Sequence, residues 1–507
     1  MKGAVAGGSQ ATVDAGVWAL RQGGNAVDAA IASTLMAGVA EPLLSGLAGA
    51  GLATVRYEGE VYCVDFFANM PGLGASNTTQ AIMDEVRINF GPTTQRFFVG
   101  LGSAAIPGVP CGMWELQQRF GRLNMTDLVA PAAKAAEDGV PVTSGFARVC
   151  ELLWPILARS NGVREMFSVD GRPLQAGDTF RCIALGKTLR DFARAPGYFS
   201  DGAGADALLA SLGDHSRMTA RDLAAQRCRV RPALGIRYRN STLWVPGSPS
   251  AAGVGIANTV AGIEAAAPPA AAAGVGSVQS MVDALRSTEG LRGEPFLRDL
   301  FTDGFDRDFV SRLQAAKKTD ERLTPGYTTH ISTVDSEGNA VSTTHSLGET
   351  AGELAGDTGV LINNFLGEGD VNPSYFRRPA GARLITMCCP SILERPNGQV
   401  VALGSGGSSR IPTAVVHGAR YLVDHDWSIS QAVRGPRTHV ENGVVHVESD
   451  GRTEETMSEV NALIPGMVRF DGPNMFFGGL HVAAWGPDGF DGEGDARRSG
   501  AFDVTQD

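Results

Sequence analysis

Residues 330–346 constrain the fold of this chain more than any other stretch. His330-Ile331-Ser332-Thr333-Val334-Asp335 and Asn339-Ala340-Val341-Ser342-Thr343-Thr344-His345-Ser346 alternate like strands around a Ser336-Glu337-Gly338-Asn339 turn, which predicts a tight antiparallel pair. Further strands are expected at 360–363, 390–394 and 399–404, with a helix over 410–425, so a strand-dense region starts near residue 328. Upstream, a helix is predicted over 12–22, with Thr12 as cap, Val13, Val17 and Leu20 on one face, and Gly23-Gly24 ending it. A second helix starts at Asn25, with Asp28 three residues on, and runs to Val39 before Glu41-Pro42 stops it. Residues 45–51 read as a glycine-rich loop, 52–67 as a hairpin turning at Gly59, 112–140 as helices, and 241–247 as a strand. The Pro/Ala-rich residues 265–276 read as a surface insertion, since patterned sequence resumes on both sides. Helices packed on stacked sheets, an α/β layout, accommodate this order.

A chain of 507 residues forms two to four ordinary domains or one large α/β body, and needs no disulfide or metal to hold its core. A net charge of −11 without a basic face makes nucleic acid an unlikely partner. The 7 cysteines include the adjacent Cys388 and Cys389 but no C-x-x-C pair, and the 8 histidines form no dense ligand motif; neither a disulfide framework nor a metal is indicated. The first residues lack an apolar signal core, and no run of about 18 apolar residues occurs. The expectation is a soluble, cytoplasmic protein with no membrane partner.

Thr328 is where chemistry is expected. A threonine hydroxyl is a poor nucleophile without an adjacent base. If the chain is cut between Tyr327 and Thr328, the freed α-amine becomes that base, and an amine with a pKa of about 7.7–8.0 suits proton transfer near neutral pH. Gly326-Tyr327-Thr328 lies between a charged stretch, Lys317 to Arg322, and the first strand of the C-terminal part, so a cut there would leave a nucleophile at the start of a rigid strand. Separately, Gly404-Ser405-Gly406-Gly407-Ser408-Ser409-Arg410 links an expected strand to an expected helix. Converging amides in such a turn can hold an anion or form an oxyanion hole, although an ordinary turn fits the same residues.

At these positions the chain resembles the γ-glutamyltranspeptidase family. Four blocks carry the resemblance: Arg21-Gln22-Gly23-Gly24-Asn25-Ala26-Val27-Asp28-Ala29-Ala30 with Glu41-Pro42 and 46–51; Thr328-Thr329-His330-Ile331-Ser332 through Val341; Gly359-Val360-Leu361-Ile362-Asn363-Asn364; and Gly404 to Ile411. Weaker similarity covers 107–112, the Asp222-Leu223 region and 494–500, so most of the chain is covered in the family's order.

The resemblance implies an αββα sandwich of the N-terminal-nucleophile hydrolase type, cut into 1–327 and 328–507, whose two pieces stay associated. A dimer of the cleaved pair is left open. No cofactor is implied, and the partner is a small-molecule substrate. Carried over residue by residue, Thr328 is the nucleophile and the bond after Tyr327 the cleavage site. Ser346 stands for a threonine that hydrogen-bonds the nucleophile, and Gly407 and Ser408 for two glycines whose amides hold the oxyanion. The substrate shell departs from the family. Phe67 replaces the arginine that pairs with the glutamyl carboxylate, Thr386 and Met387 replace two serines, and Gly348 replaces a residue that is commonly asparagine. Glu368 is the loosely aligned candidate for the acid that grips the α-amine. Arg383 and Arg378 are candidate substrate anchors, a structural role being as good a reading; His330 and His345 are expected to be buried.

These departures argue against ordinary glutathione processing. Leu347-Gly348-Glu349 and Asn363-Asn364-Phe365-Leu366-Gly367-Glu368-Gly369-Asp370 are similar to oxamate amidohydrolase-like relatives. The expectation is a self-processing threonine hydrolase or acyltransferase acting on a small amide or related acyl substrate. A C–C bond hydrolase of an oxalyl-type group, a true γ-glutamyl enzyme and an inactive scaffold remain as alternatives.

Overall fold

A computed structural model describes residues 1–76, 81–89, 94–265, 270–313, 328–373 and 377–505. Two stacked sheets form its centre. The first has seven strands in the order Arg229–Pro232, Glu60–Phe66, Ala50–Tyr57, Ala340–Ser346, Thr329–Asp335, Gly3–Gly7, Ala501–Val504. The second has six: Leu234–Tyr238, Ser241–Val245, Ser391–Glu394, Val400–Gly406, Gly479–Gly486, Gly489–Glu493. Every pairing in both is antiparallel. Helices Gln10–Arg21 and Ala26–Ala40 cover the outer face of the first sheet, and Ala251–Glu264 and Arg410–Asp424 lie with the second, giving the αββα layering.

The hairpin expected at 330–346 is the middle of the first sheet. Its register sets Thr329 opposite His345 and Val334 opposite Ala340. Both strands are buried along their whole length, yet rich in hydroxyls, because each face is covered and each hydroxyl has a carbonyl or side chain to bond. Ser332 donates to His481 O (3.1 Å) and Ser342 to Leu403 O (2.9 Å), on the side facing the second sheet. Thr333 donates to Ala26 O (2.7 Å), on the side facing the helices.

The second helix begins as expected: Asn25 caps it, accepting from the amides of Val27 and Asp28, while Asp28 accepts from the Asn25 amide. The first helix starts earlier than expected, at Gln10. Ser9 accepts from the Thr12 amide (3.2 Å), and the Thr12 hydroxyl donates to Glu41 (2.8 Å) instead of capping. The loop expected at 45–51 gives up Ala50 and Gly51 to the strand Ala50–Tyr57. Residues 360–363 form no strand; only Leu361 makes an isolated bridge, to Leu354, and Asn363 is instead held side-on by Ala48 O, Ala105 O and the Ala105 amide. In the Pro/Ala-rich stretch, 266–269 lie outside the described residues, and a helix runs from Val275 to Glu289.

Candidate active site

Strand alternation decides where Thr328 points. Residues two apart share a face, so Thr328 shares the face of His330 and Ser332, toward the second sheet. The hairpin register, carried one residue outward, sets Thr328 opposite Ser346. Directly opposed residues place their Cβ atoms about 4.5–5.5 Å apart, close enough for the two hydroxyls to interact. The pair sits at the end of the two central strands, where Thr328 is 5% exposed.

Val400–Gly406 forms the opposite wall. A Cβ on Gly406 would lie 2.0 Å from the Thr328 carbonyl oxygen, and one on Gly404 would lie 2.3 Å from the His330 ring. The glycines of this block therefore let the second sheet come against the strand that starts beside Thr328. The turn that follows has Gly407 at φ 116° and Ser408 at φ 49°. Neither the Gly407 nor the Ser408 amide has a hydrogen-bond acceptor among the described residues. The Ser408 hydroxyl donates to Asp370 Oδ2.

Thr328 and Ser346 open onto a narrow cavity of about 20 Å³ shared with Phe67, Phe365, Glu368, Asp370, Val371, Thr386, Met387, Cys388, Ser408 and Ile411. Of the expected residues, the structure thus gathers Thr328, Ser346, Ser408, Phe67, Glu368, Thr386 and Met387. The Ser346 hydroxyl accepts from the Gly348 amide (2.8 Å). Phe67 packs on Phe365 with ring centroids 5.4 Å apart. Thr386 is turned to the backbone, its hydroxyl accepting from the Cys388 amide (3.0 Å).

Gly348 offers no side chain but makes room for one. Its φ is 69°, and a Cβ there would lie 2.0 Å from Glu368 Oε1 and 2.2 Å from Asn364 Oδ1. Glu368 therefore fills the space that a larger residue at 348 would take. Burial, with Glu349 and Asp370 close by, pushes the Glu368 carboxyl well above the usual range, and burial raises Asp370 to about 6. Glu368 Oε1 and Asp370 Oδ1 are buried without a hydrogen-bond partner among the described residues. Asp370 and Phe365 were not singled out from sequence; their only signal is membership of the Asn363–Asp370 block.

Arg383 lies away from the cavity. It is 1% exposed, ion-paired to Asp65 (3.3 Å), and donates to the carbonyls of Phe67, Asp65 and Arg227. Arg378 lies over the Phe301 ring, 3.3 Å from its centroid, and donates to Arg383 O (3.3 Å). Neither lines the cavity. His330 and His345 are buried and face hydroxyls: His330 bonds Thr344 (2.8 Å) and Ser332 (2.9 Å), and His345 bonds Ser45 (2.7 Å). Burial lowers His330 well below the usual imidazole range and His345 to about 3, so both rings are neutral at physiological pH. Tyr327 and the stretch Lys317 to Arg322 lie outside the described residues. A larger cavity, about 280 Å³, lies beside Glu41, Phe146, Arg148 and Arg498, and Thr328 does not line it.

Comparison with known proteins shows the family and the fold. The family model described as "Gamma-glutamyltranspeptidase" matches residues 12–504. The chain is 28% identical over 519 residues to "Acylase ACY 1 proenzyme" of Pseudomonas sp. (strain V22), covering 94% of this chain and 88% of the relative. It is 30% identical over 485 residues to "Glutathione hydrolase proenzyme 2" of Schizosaccharomyces pombe, covering 86% of this chain and 76% of the relative. Among solved structures, the cephalosporin acylase of Bacillus halodurans superposes with a TM-score of 0.79 at 21% identity, covering 99% of this chain and 95% of that one. The chain belongs to the γ-glutamyltranspeptidase family, and is an enzyme of the N-terminal-nucleophile hydrolase type.

Proposed function

We propose that the chain is a precursor that cuts itself between Tyr327 and Thr328, and that the freed Thr328 then hydrolyses a small amide through an acyl-enzyme. The observation that carries this reading is the convergence of Thr328, Ser346 and Ser408 on one cavity at the end of the nucleophile strand. Thr328 Oγ attacks the acyl carbonyl, and its α-amine takes the hydroxyl proton and returns it to the leaving amine. The amides of Gly407 and Ser408 hold the tetrahedral oxyanion, and water resolves the ester. Ser346 orients the nucleophile by its hydroxyl. The "proenzyme" names of the relatives support self-cleavage into 1–327 and 328–507.

The acyl group is small and carries no carboxylate. None of the described residues lining the cavity is basic, and the wall where the family has its arginine is Phe67 packed at a tilt against Phe365. Glu368 and Asp370 also repel an anion once ionised, since both carboxylates line the cavity and no described residue lining it is basic. A small neutral acyl group suits the remaining wall of Val371, Met387 and Cys388, and an acylase is among the relatives.

The test has two arms. The purified chain should resolve on a denaturing gel into bands of roughly 34 and 19 kDa, the shares of 1–327 and 328–507 in 53.0 kDa, while T328A stays whole. A single band after long incubation of the unaltered chain refutes self-cleavage. The mature protein should then turn over acetyl anilides faster than a γ-glutamyl anilide, and the reverse order refutes the assignment of the acyl pocket.

A further inference from the structure

Ser408 is the residue of the oxyanion turn that is out of keeping with its backbone. Its φ of 49° lies in the left-handed region, where a side chain crowds the following carbonyl and glycine is favoured. The neighbouring Gly407, at φ 116°, has no such conflict. Something must hold Ser408 in place, and its hydroxyl is bound to Asp370 Oδ2. Both residues are buried, at 4% and 3% exposure, and both line the cavity of Thr328. Asp370 comes from the loop after Phe365–Gly367, on a segment 38 residues upstream, so the bond ties two separate walls of the cavity together. A bond from a hydroxyl to a carboxylate in a dry site is strong, because the charge is poorly solvated by anything else.

We propose that Asp370 is a positioning residue: through the Ser408 hydroxyl it holds the Gly407–Ser408 turn in the conformation that presents its amides to the substrate oxyanion. Ser408 and Asp370 then act as one device that replaces the freedom a glycine would have. The role in catalysis rests on the reading of Thr328 as nucleophile and of these amides as its oxyanion donors; the role in holding the turn does not.

The experiment uses the full chain, matured where it matures, with D370A, D370N, S408A, S408G and the double variant D370A/S408G. Amide hydrogen exchange over 404–411 reads the turn, and p-nitrophenyl acetate hydrolysis reads catalysis, with T328A as the control. D370A and S408A should each speed exchange in the turn at least tenfold and lower kcat by about 10- to 100-fold, short of the roughly 100- to 1000-fold that a removed oxyanion donor costs, with KM moving less than threefold. D370N keeps an acceptor for the Ser408 hydroxyl and should stay within threefold of the unaltered enzyme. In the S408G background, D370A should change either readout by less than threefold. An equal penalty for D370A with and without S408G overturns the proposal, as does unchanged exchange in S408A, which also decides the matter if D370A does not fold. If T328A hydrolyses the ester as fast as the unaltered chain, the nucleophile reading fails, and the exchange arm alone decides whether Asp370 holds the turn.

Discussion

Asp370 also leaves a mark on stability. Burial raises its carboxyl from 3.8 to about 6, with Glu368 on its own loop, Arg410 and Glu441 across the turn, and Arg292 facing it. A carboxyl raised on folding favours the fold fully below its unfolded value, and that contribution is lost as pH rises through the folded value. At neutral pH the burial of the Asp370 charge costs about 3 kcal/mol, at 1.36 kcal/mol for each pKa unit. D370N should therefore melt higher than the unaltered chain at pH 8, with the gap closing by pH 4. A gap that is the same at both pH values would mean that folding does not raise the Asp370 carboxyl. Glu41 makes a second residue-scale case. It is buried, its carboxyl raised by that burial, and it accepts from Thr12 (2.8 Å) and Thr329 (2.7 Å). E41A takes the acceptor from two buried hydroxyls, of which Thr12 keeps its contact with Ser9 (2.8 Å) and Thr329 is left unpaired, at about 1–3 kcal/mol for the unpaired group. It should lower the melting midpoint clearly more than E41Q, which keeps a carbonyl for one of them; equal midpoints would remove the network from the account of stability.

Among the elements, local signals were readable where one residue answers to its neighbours. The Asn25–Asp28 cap, the hairpin at Gly59 and the 330–346 pair all depend on side chains within a few residues of one another, and they appear in the structure where expected. Thr12 was misread because its hydroxyl has a distant partner, Glu41, that outcompetes a cap, while Ser9 does the capping three residues earlier. Residues 360–363 carry a strand's apolar pattern, yet Asn363 is pulled sideways by three backbone groups of other segments, which a pattern of neighbours does not record. The glycines of 404–407 show the other limit: sequence says that the backbone is bare there, but not what it is bare for. Gly406 is bare so that Thr328 can lie against it. G406A should push the two strands apart and leave the precursor uncut, running as one 53.0 kDa band. A G406A chain that matures at the normal rate would show that this contact does not set the geometry of the cleavage bond.

At the scale of the whole molecule, the site depends on contacts that no local pattern encodes. Phe67, Thr328, Glu368, Thr386 and Ser408 come from five segments and meet only because the two sheets stack. The same stacking bears on what a cut before Thr328 would do. In the first sheet Thr329–Asp335 pairs with Gly3–Gly7, with Gly3 opposite Asp335 and Ala6 opposite Ser332, and Ala340–Ser346 pairs with Ala50–Tyr57. In the second, Ser241–Val245 pairs with Ser391–Glu394. Each of these ladders joins the part before residue 328 to the part after it, and all lie in the core. Separating the pieces would strip hydrogen bonds from both sheets and expose the buried apolar faces between them, a loss on the scale of unfolding and not of releasing a docked domain. The two pieces of the mature protein should therefore elute together from a sizing column in native buffer, at low and at high salt alike, because screening weakens charge contacts but not buried ladders. They should part only at the denaturant concentration where the circular dichroism signal is lost. Release of the 328–507 piece while the strand signal persists would show that one sheet can stand without the other, and would remove the interleaved core as the reason the pieces stay together.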